Sequence, residues 1–414
     1  MKVYLRTFGC RANQYDGEAV RAMIEAGGGT LVPVPDDADV AVFNSCAVTS
    51  DAVADLRQQV RRAGRANPSL RSVVMGCASA LPAETTALRA LPTVDALVAG
   101  ADLSAVATAL GIPARSTTTV RQAGTRALLR IQDGCDEHCT FCATTLARGA
   151  HRSRPAADLV EEARALAAHH AEIVVTGVHI GGWGREHGAT LGSLVDLLVR
   201  EVGHVRYRLT SIEATEVDDL LADLLTGAPG RVAPHLHAPL QSGSDRMLRR
   251  MGRHWYTASR YAEAVERIAA RAAVFALSAD VIAGFPGEDD ADHAASMALV
   301  HALPFTSLHV FPYSERPGTA ATRLPGRVPP RISRARAAEL RDLAAAKTET
   351  HRRARVGGVA DVVVVGRGDV PRGLTEDYLE VVLAAAAPRT ARFGATLVDR
   401  GNGLAAEALE SDAR

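Results

Sequence analysis

Residues 130–149, RIQDGCDEHCTFCATTLARG, place Cys135, Cys139 and Cys142 within eight positions, spaced C-x3-C-x2-C. Structural zinc takes four protein ligands, and so does a conventional iron–sulfur cluster. Three thiolates therefore leave one metal position without a protein ligand. Catalytic metals keep such a position for substrate, whereas structural sites are closed. The spacing points to a four-iron cluster that binds a substrate directly. Two alternatives stand on the residues alone. One is zinc, with His138 or His151 as fourth ligand. The other is a thioredoxin-like redox pair, Cys139 and Cys142, with Cys135 idle.

The remaining cysteines, Cys10, Cys46 and Cys77, lie 36 and 31 residues apart. The runs KVYLRTFGC, DVAVFNSC and SVVMGC read as strands, each ending at one of them. Two helical patterns separate them: NQYDGEAVRAMIEAGG, with Asn13 as its cap, and DAVADLRQQVRRAGRANP. The alternation β-α-β-α-β implies a parallel sheet with right-handed crossovers. All its strands end on one edge, where α/β sheets bind ligands. Three thiols distant in sequence are thereby expected to converge. Separately buried thiols are the alternative, since free cysteine is often a core residue.

A second alternation starts near residue 121. Strands are expected at Ala127–Gln132, Ile173–Val178, Tyr207–Ile212, His235–Leu240, Ala276–Ala283 and Ser307–Tyr313. Helical patterns lie between them, including Pro155–His170, Leu191–Val202, Thr257–Ala272 and Asp289–Leu303. Six βα units form an open, partial (β/α)6 barrel, with its site at the strand C-termini. The segments after these strands (DGCDEHCTFC, TGVHIGGWG, TSIEATE, PLQSGSD, AGFPGE and FPYSERPGT) carry the unusual residues.

Length and composition fit this division. The chain has 414 residues, 47% apolar and 23% charged, enough for two or three cores. Its formal net charge is zero, so nucleic acid must be held by a local patch. Nearly all its bases are Arg, only Lys2 and Lys347 being lysine, as a GC-rich genome would encode. No apolar run reaches the about 20 residues that span a bilayer, and the N-terminus carries no signal-like segment. A cytoplasmic, thiol-reducing location without membrane attachment is expected, so the six cysteines read as metal ligands.

C-x3-C-x2-C with Phe141 before the third cysteine resembles the radical S-adenosylmethionine (radical SAM) signature. Taken with Cys10, Cys46, Cys77, ARGAHRSR, LQSGSDRMLRRM and GFPGE, the chain resembles the methylthiotransferases of that superfamily nearly end to end. FGCRANQYD, SIEATEVDD, PHLHAPLQSGSD and LHVFPYSERPGTAA are most similar to the branch acting on N6-threonylcarbamoyladenosine in tRNA. The resemblance implies two [4Fe-4S] clusters. The one on Cys135, Cys139 and Cys142 binds S-adenosylmethionine and cleaves it to a 5′-deoxyadenosyl radical. The one on Cys10, Cys46 and Cys77 is auxiliary and presents a sulfur that becomes methylated. The radical takes hydrogen from C2 of the adenine, and the methylthio group is delivered there. Phe141, Gly177, Glu213 and Gln241 are expected around S-adenosylmethionine. The same chemistry on N6-isopentenyladenosine, or on an aspartate of a ribosomal protein, is the nearest alternative. A non-catalytic iron–sulfur RNA-binding protein is one from another class. Partners implied are the tRNA anticodon stem-loop and an electron donor such as a flavodoxin or ferredoxin. The chain departs from the family at Thr145, where proline is usual, and Glu315–Arg316 has no reading at this level.

The expected division is 1–112 for the auxiliary cluster, 121–350 for the radical core and 354–414 for a small all-β unit resembling the RNA-binding TRAM domain. That last unit is acidic, since residues 356–414 hold six Arg against nine Asp and Glu. The helix-like stretch Pro330–Arg355 is richer in Arg, so Arg352, Arg353 and Arg355 are expected to meet RNA phosphates. Arg148, Arg152 and Arg154, after the cysteine motif, are a second candidate set.

Overall fold

The structure is a computed structural model and describes residues 1–47, 49–113, 121–366, 368, 370–384, 391–401 and 403–409. Its N-terminal sheet has five parallel strands: β1 (Lys2–Thr7), β2 (Thr30–Leu31), β3 (Val40–Ser45), β4 (Arg71–Gly76) and β5 (Val94–Leu97), in the order β2-β1-β3-β4-β5. β3 is buried along its whole length because helices cover both faces of the sheet. α1 (Arg11–Ala26) and α4 (Leu103–Leu110) pack Val20, Ile24 and Val106 on one side. α2 (Ser50–Ala66) and α3 (Pro82–Arg89) pack Leu56, Val60 and Leu88 on the other. The expected cap of α1 is corrected: Cys10 holds the N-cap position, and Asn13 is a buried residue inside the first turn.

The next six long strands pair in chain order. They are β6 (Ala127–Arg130), β9 (Glu172–Thr176), β10 (Arg206–Leu209), β11 (His235–His237), β12 (Ala276–Ala283) and β13 (Ser307–Pro312). Two parallel three-stranded groups, β6-β9-β10 and β11-β12-β13, are joined by the single bridges Tyr207–Val232 and Ser211–His237. This is the expected open barrel, with β11 shorter than expected; Pro239 lacks the N–H that a longer ladder requires. Between β6 and β9 lies a short antiparallel pair, β7 (Gln132–Asp133) with β8 (Arg152–Ser153), which closes the base of the cysteine loop. α5 (Thr144–Arg148) is inside that loop. The outer layer is α6 (Ala156–Ala167), α7 (Leu191–Glu201), α8 (Asp219–Gly227), α9 (Asp245–Arg250), α10 (Ala258–Ala269) and α11 (Asp290–Ala302). Thr190, Asp218, Ser244, Thr257 and Asp289 cap five of them through side-chain oxygens. α8 and α9 are too short for periodicity to reveal.

α12 (Pro330–Ala354) leads into a closed barrel of β14 (Val359–Gly366), β15 (Arg372–Leu374), β16 (Glu380–Leu383), β17 (Arg392–Asp399) and β18 (Leu404–Ala408). The barrel is fastened to the central strands by ions. Glu172 is fully buried on β9 and pairs with Arg206 at 2.7 Å and Arg208 at 3.0 Å. Arg206 donates onward to the Asp361 carbonyl, and Arg208 to the carbonyls of Thr375 and Glu376. Burial opposes the Glu172 charge, but the two arginines hold its carboxyl well below the ordinary range. Glu172→Gln leaves those guanidiniums buried without their anion and is expected to cost about 3–5 kcal/mol. The stabilisation is present above about pH 4.5, the ordinary glutamate value, and fades as pH falls through the lowered one. Urea unfolding of the metal-free chain at pH 7 and at acid pH checks both; equal midpoints for parent and variant at pH 7 would show that the arginines re-pair elsewhere.

Candidate active site

The Cys135–Cys142 loop is shaped by its two ends. Gly134 sits at φ +71°, and a Cβ there would come within 1.9 Å of the Ala150 carbonyl oxygen, so only glycine fits. Gln132 ties the loop to the segment after β9: its Nε2 donates to the Gly134 carbonyl, and its Oε1 accepts the backbone N–H groups of Val178 and His179. Polar groups then surround the sulfurs. His179 lies beside Cys135, which favours its charged form. Arg253 Nη1 lies 3.5 Å from Cys139 Sγ. The Thr144 hydroxyl and backbone N–H lie 3.0 and 3.4 Å from Cys142 Sγ. Burial pulls the His179 pKa down, yet Cys135 and Glu216 (2.9 Å) hold it up to about 10. Burial pushes the Cys139 thiol up to about 12 against the opposing Arg253 charge.

The three sulfurs border a cavity of about 160 Å³ shared with Phe141, Glu213, Gln241 and Trp255. Three of the four residues expected around S-adenosylmethionine thus line it. Gly177 does not: its bare Cα is needed because a Cβ would lie 2.8 Å from both the Gln132 carbonyl and Ile180. The Glu213 carboxylate is already bound by Arg253, whose guanidinium stacks 4.8 Å from the Trp255 ring. Arg253, His179 and Glu216 escaped the sequence reading. No motif marks a donor that approaches a sulfur from another strand.

Cys10, Cys46 and Cys77 do meet at one edge of the N-terminal sheet. Gly9 has φ +90°, and a Cβ there would lie 2.4 Å from Cys46 Sγ. Asn13 Nδ2 donates to the carbonyls of Phe8 (3.0 Å) and Ser45 (2.6 Å), joining the loops after β1 and β3. Its Oδ1 lies 3.6 Å from Cys77 Sγ, the loop after β4. Burial pushes the Cys77 thiol up to about 11, against the charge of Arg148 and with added repulsion from Cys10 and Cys46.

One thiol of each set, Cys77 and Cys142, lines a smaller cavity of about 120 Å³, together with Ala47, Phe141, Ala147 and Arg316. Arg316 donates to the Phe141 carbonyl at 2.7 Å. Burial pulls its pKa down while Cys142 and Cys46, one from each set, oppose that effect. Below the cavity Arg148 crosses from α5 to α1, bonding Asn13 (2.6 Å) and Asp16 (2.7 Å), with Asp133 at 3.0 Å on its own side. Burial acts against its charge, but Asp16, Cys77 and Asp133 keep it protonated far above the ordinary value.

This donor set fits iron–sulfur clusters rather than zinc. Tetrahedral zinc draws sulfurs to about 3.8 Å from one another. Among the described residues only His237, Asp280 and His309 bring three potential ligand atoms within 4.8 Å; neither thiol triplet is drawn that tight. The proposed fourth ligands fail too, since His138 is exposed and His151 is held by Gln132 and Ser153. Hydrogen-bond donors aimed at sulfur are what cluster ligands use to tune potential.

Neither expected RNA-contacting set is uniformly exposed. Arg148 is buried in the ion pairs just described. Arg355 is buried between Glu376 and Asp377, at 2.7 and 2.9 Å. Arg154 pairs with Glu162, and Arg352 with Glu349. Only Arg152 and Arg353 present mostly exposed side chains, at 61% and 73%. Arginines close in sequence, from the end of α5 to just past β8 and at the end of α12, turn in space to different neighbours, so a dense sequence run is not a patch.

Residues 2–100 match the uncharacterized protein family UPF0004, and residues 129–300 match the radical SAM superfamily. The chain is 33% identical to the threonylcarbamoyladenosine tRNA methylthiotransferase MtaB of Thermotoga maritima, over 79% of this chain and 78% of that protein. It is 35% identical to the Bacillus subtilis MtaB, over 79% and 76%. It is also 33% identical to the tRNA-2-methylthio-N(6)-dimethylallyladenosine synthase of Cereibacter sphaeroides, over 92% of each chain. Among solved structures, the radical S-adenosylmethionine methyltransferase TsrM from Kitasatospora setae shares the fold, with TM-score 0.56 at 15% identity over 77% of this chain and 76% of that one.

The contribution of Arg148 is measurable. Arg148→Met removes the shared cation of Asp16 and Asp133 and is expected to cost about 3–5 kcal/mol. Arg152→Met, four residues on and exposed, is expected to stay within about 0.5 kcal/mol. Urea denaturation of the metal-free variants compares them; equal losses would show that Arg148 does not hold the two cysteine-bearing units together.

Proposed function

The chain belongs to the radical SAM methylthiotransferases, which use S-adenosylmethionine and a [4Fe-4S] cluster, and from that premise we propose that it inserts a methylthio group at C2 of N6-threonylcarbamoyladenosine next to the tRNA anticodon. The observation that carries the reading is one small cavity lined by a thiol from each triplet, Cys77 and Cys142, with Arg316 beside both sets. One triplet suits the cluster that binds S-adenosylmethionine, the other an auxiliary cluster. When bound, these groups supply a carbon-centred radical that removes hydrogen from an unactivated position, and a sulfur to replace it. The chain's own residues orient and shield. Arg253, His179 and Thr144 hold the sulfurs of the first triplet in fixed directions. Phe141, Ala47, Ala143 and Ala147 give the shared cavity apolar walls, and excluding water protects a reactive radical from stray hydrogen donors.

In this reading residues 1–112 carry the auxiliary cluster, 121–350 the radical chemistry and 354–414 the contact with the anticodon stem-loop, whose unpaired bases are free to be splayed out. Electrons come from an external donor of the flavodoxin or ferredoxin kind. A second reading, the dimethylallyl (isopentenyl) base as substrate, rests on the 33% identity to the Cereibacter sphaeroides relative, equal to that of the Thermotoga maritima MtaB. No helix among the described residues is long and apolar enough to cross a membrane.

Two experiments test the proposal. Anaerobic reconstitution is expected to give about eight irons per chain, four for each cluster. Replacing Cys135, Cys139 and Cys142 together by Ala halves that count and abolishes 5′-deoxyadenosine formation. Replacing Cys10, Cys46 and Cys77 also halves it but leaves 5′-deoxyadenosine measurable. Iron content indifferent to the second triple would sink the auxiliary site. For the substrate, tRNA from a strain lacking the gene is digested and analysed by mass spectrometry. Loss of 2-methylthio-N6-threonylcarbamoyladenosine is expected, with the dimethylallyl counterpart retained; the opposite pattern moves the chain to the second reading.

A further inference from the structure

A larger cavity, about 470 Å³, opens beside Cys10. That is within the span of small-molecule sites. Its walls are the Gly9–Cys10 turn, residues of β10 to β13, and Tyr378 from the terminal barrel. The wall is cationic. Arg11, Arg126, Arg208 and His309 line it, against one lining carboxylate, Asp280, and Glu172 behind. Asp280 Oδ1 is shared by His237 Nε2 at 3.3 Å and His309 Nδ1 at 3.2 Å. His237 is fixed from its other side by Ser278 Oγ at 2.8 Å. His309 bonds Asp280 through Nδ1, so Nε2 is the nitrogen it offers a ligand, and its side chain is 59% exposed. The Asp280 bond raises its pKa, which favours the imidazolium.

The roof is aromatic. Tyr378 stacks on His235 with ring centroids 4.5 Å apart and planes 13° from parallel. It has φ +70°, a backbone conformation that costs a non-glycine residue free energy and is concentrated at ligand sites. Arg208 lies 5.1 Å from the same ring. A strained turn thus carries an exposed aromatic face to the cavity mouth, the kind of platform on which an unstacked base rests.

Adenine geometry connects this cavity to the thiols. C2 and C6 flank N1 on one edge of the ring. A base that presents C2 beside Cys10 therefore carries its N6 substituent into the adjoining space. We infer that the cavity between Cys10, His309 and Tyr378 is the subsite for the N6 substituent, and that it takes a carboxylate-bearing, amino-acid-derived group, with His309 Nε2 and Arg126 as its donors. The inference rests on the threonylcarbamoyladenosine reading and adds to it the residues that choose the substituent. An uncharged prenyl group would make no hydrogen bond to those donors, whereas a carboxylate would.

The test compares anticodon stem-loop RNAs carrying N6-threonylcarbamoyladenosine, its neutral methyl ester, or N6-isopentenyladenosine, bound to the cluster-loaded enzyme. The free acid is expected to bind about tenfold or more tighter than the ester, the scale of one charge-assisted hydrogen bond. His309→Ala is expected to bring the acid down close to the ester, and Arg126→Gln to reduce the same ratio, each with the parental iron content as evidence of folding. Acid and ester bound alike by the parent, or a ratio unmoved in both folded variants, overturns the subsite. Tighter binding of the isopentenyl RNA than of the acid overturns the substrate reading itself, which separates the two failures.

Discussion

The buried Arg148 guanidinium is the contact on which the site depends. It leaves the cysteine loop of the central strands and enters the first turn of α1, where Asp16 and Asn13 receive it. Asn13 in turn holds the loops after β1 and β3 and lies against Cys77. One cation therefore fixes the distance between two thiol sets that belong to separate sheets. An isolated buried charge is expensive, and removing either partner leaves the other uncompensated. The pairing consequently specifies one docking of the two units, where a greasy interface of similar area would tolerate sliding. Arg130, which also pairs with Asp16 and stacks on Tyr15 at 4.9 Å, reinforces the same seam.

The sulfurs impose a second constraint. Burial disfavours their thiolate forms, as the raised values of Cys77 and Cys139 show. The chain places a cation beside both, Arg148 at Cys77 and Arg253 at Cys139, and a third, Arg316, near Cys46 and Cys142. These arginines come from α5, from the turn after α9 and from the loop after β13. None is adjacent in sequence to the sulfur it serves. Metal binding requires the deprotonated ligand, so such cations ease the step that burial hinders.

The terminal barrel is held by the same principle at larger scale. Glu172 gathers Arg206 and Arg208, and these reach across to backbone carbonyls of the barrel. Arg355, Glu376, Asp377 and His351 extend the seam at the end of α12. The arginines expected to grip RNA are thus structural in part, and the barrel contributes Tyr378 to a cavity of the central strands. Fastening the barrel by hydrogen-bonded ions fixes its orientation, which positions that ring over the substituent cavity.

The sequence by itself determined the α/β architecture and the six cysteines. Strand and helix periods are local, and a cysteine just past a parallel strand must lie on the carboxyl edge whatever the rest of the chain does. The C-x3-C-x2-C loop was legible for the same reason, being a short-range feature of the chain. Only the tertiary structure decided which charges are free. Arg148 and Arg152 are four residues apart, yet one is buried between two aspartates and the other faces solvent, because a turn of chain separates them onto different neighbours. Arg253, Arg316 and the His237–Asp280–His309 group were illegible for the converse reason: their partners lie on other strands, and a pairing that depends on how sheets dock leaves no periodic mark in the chain.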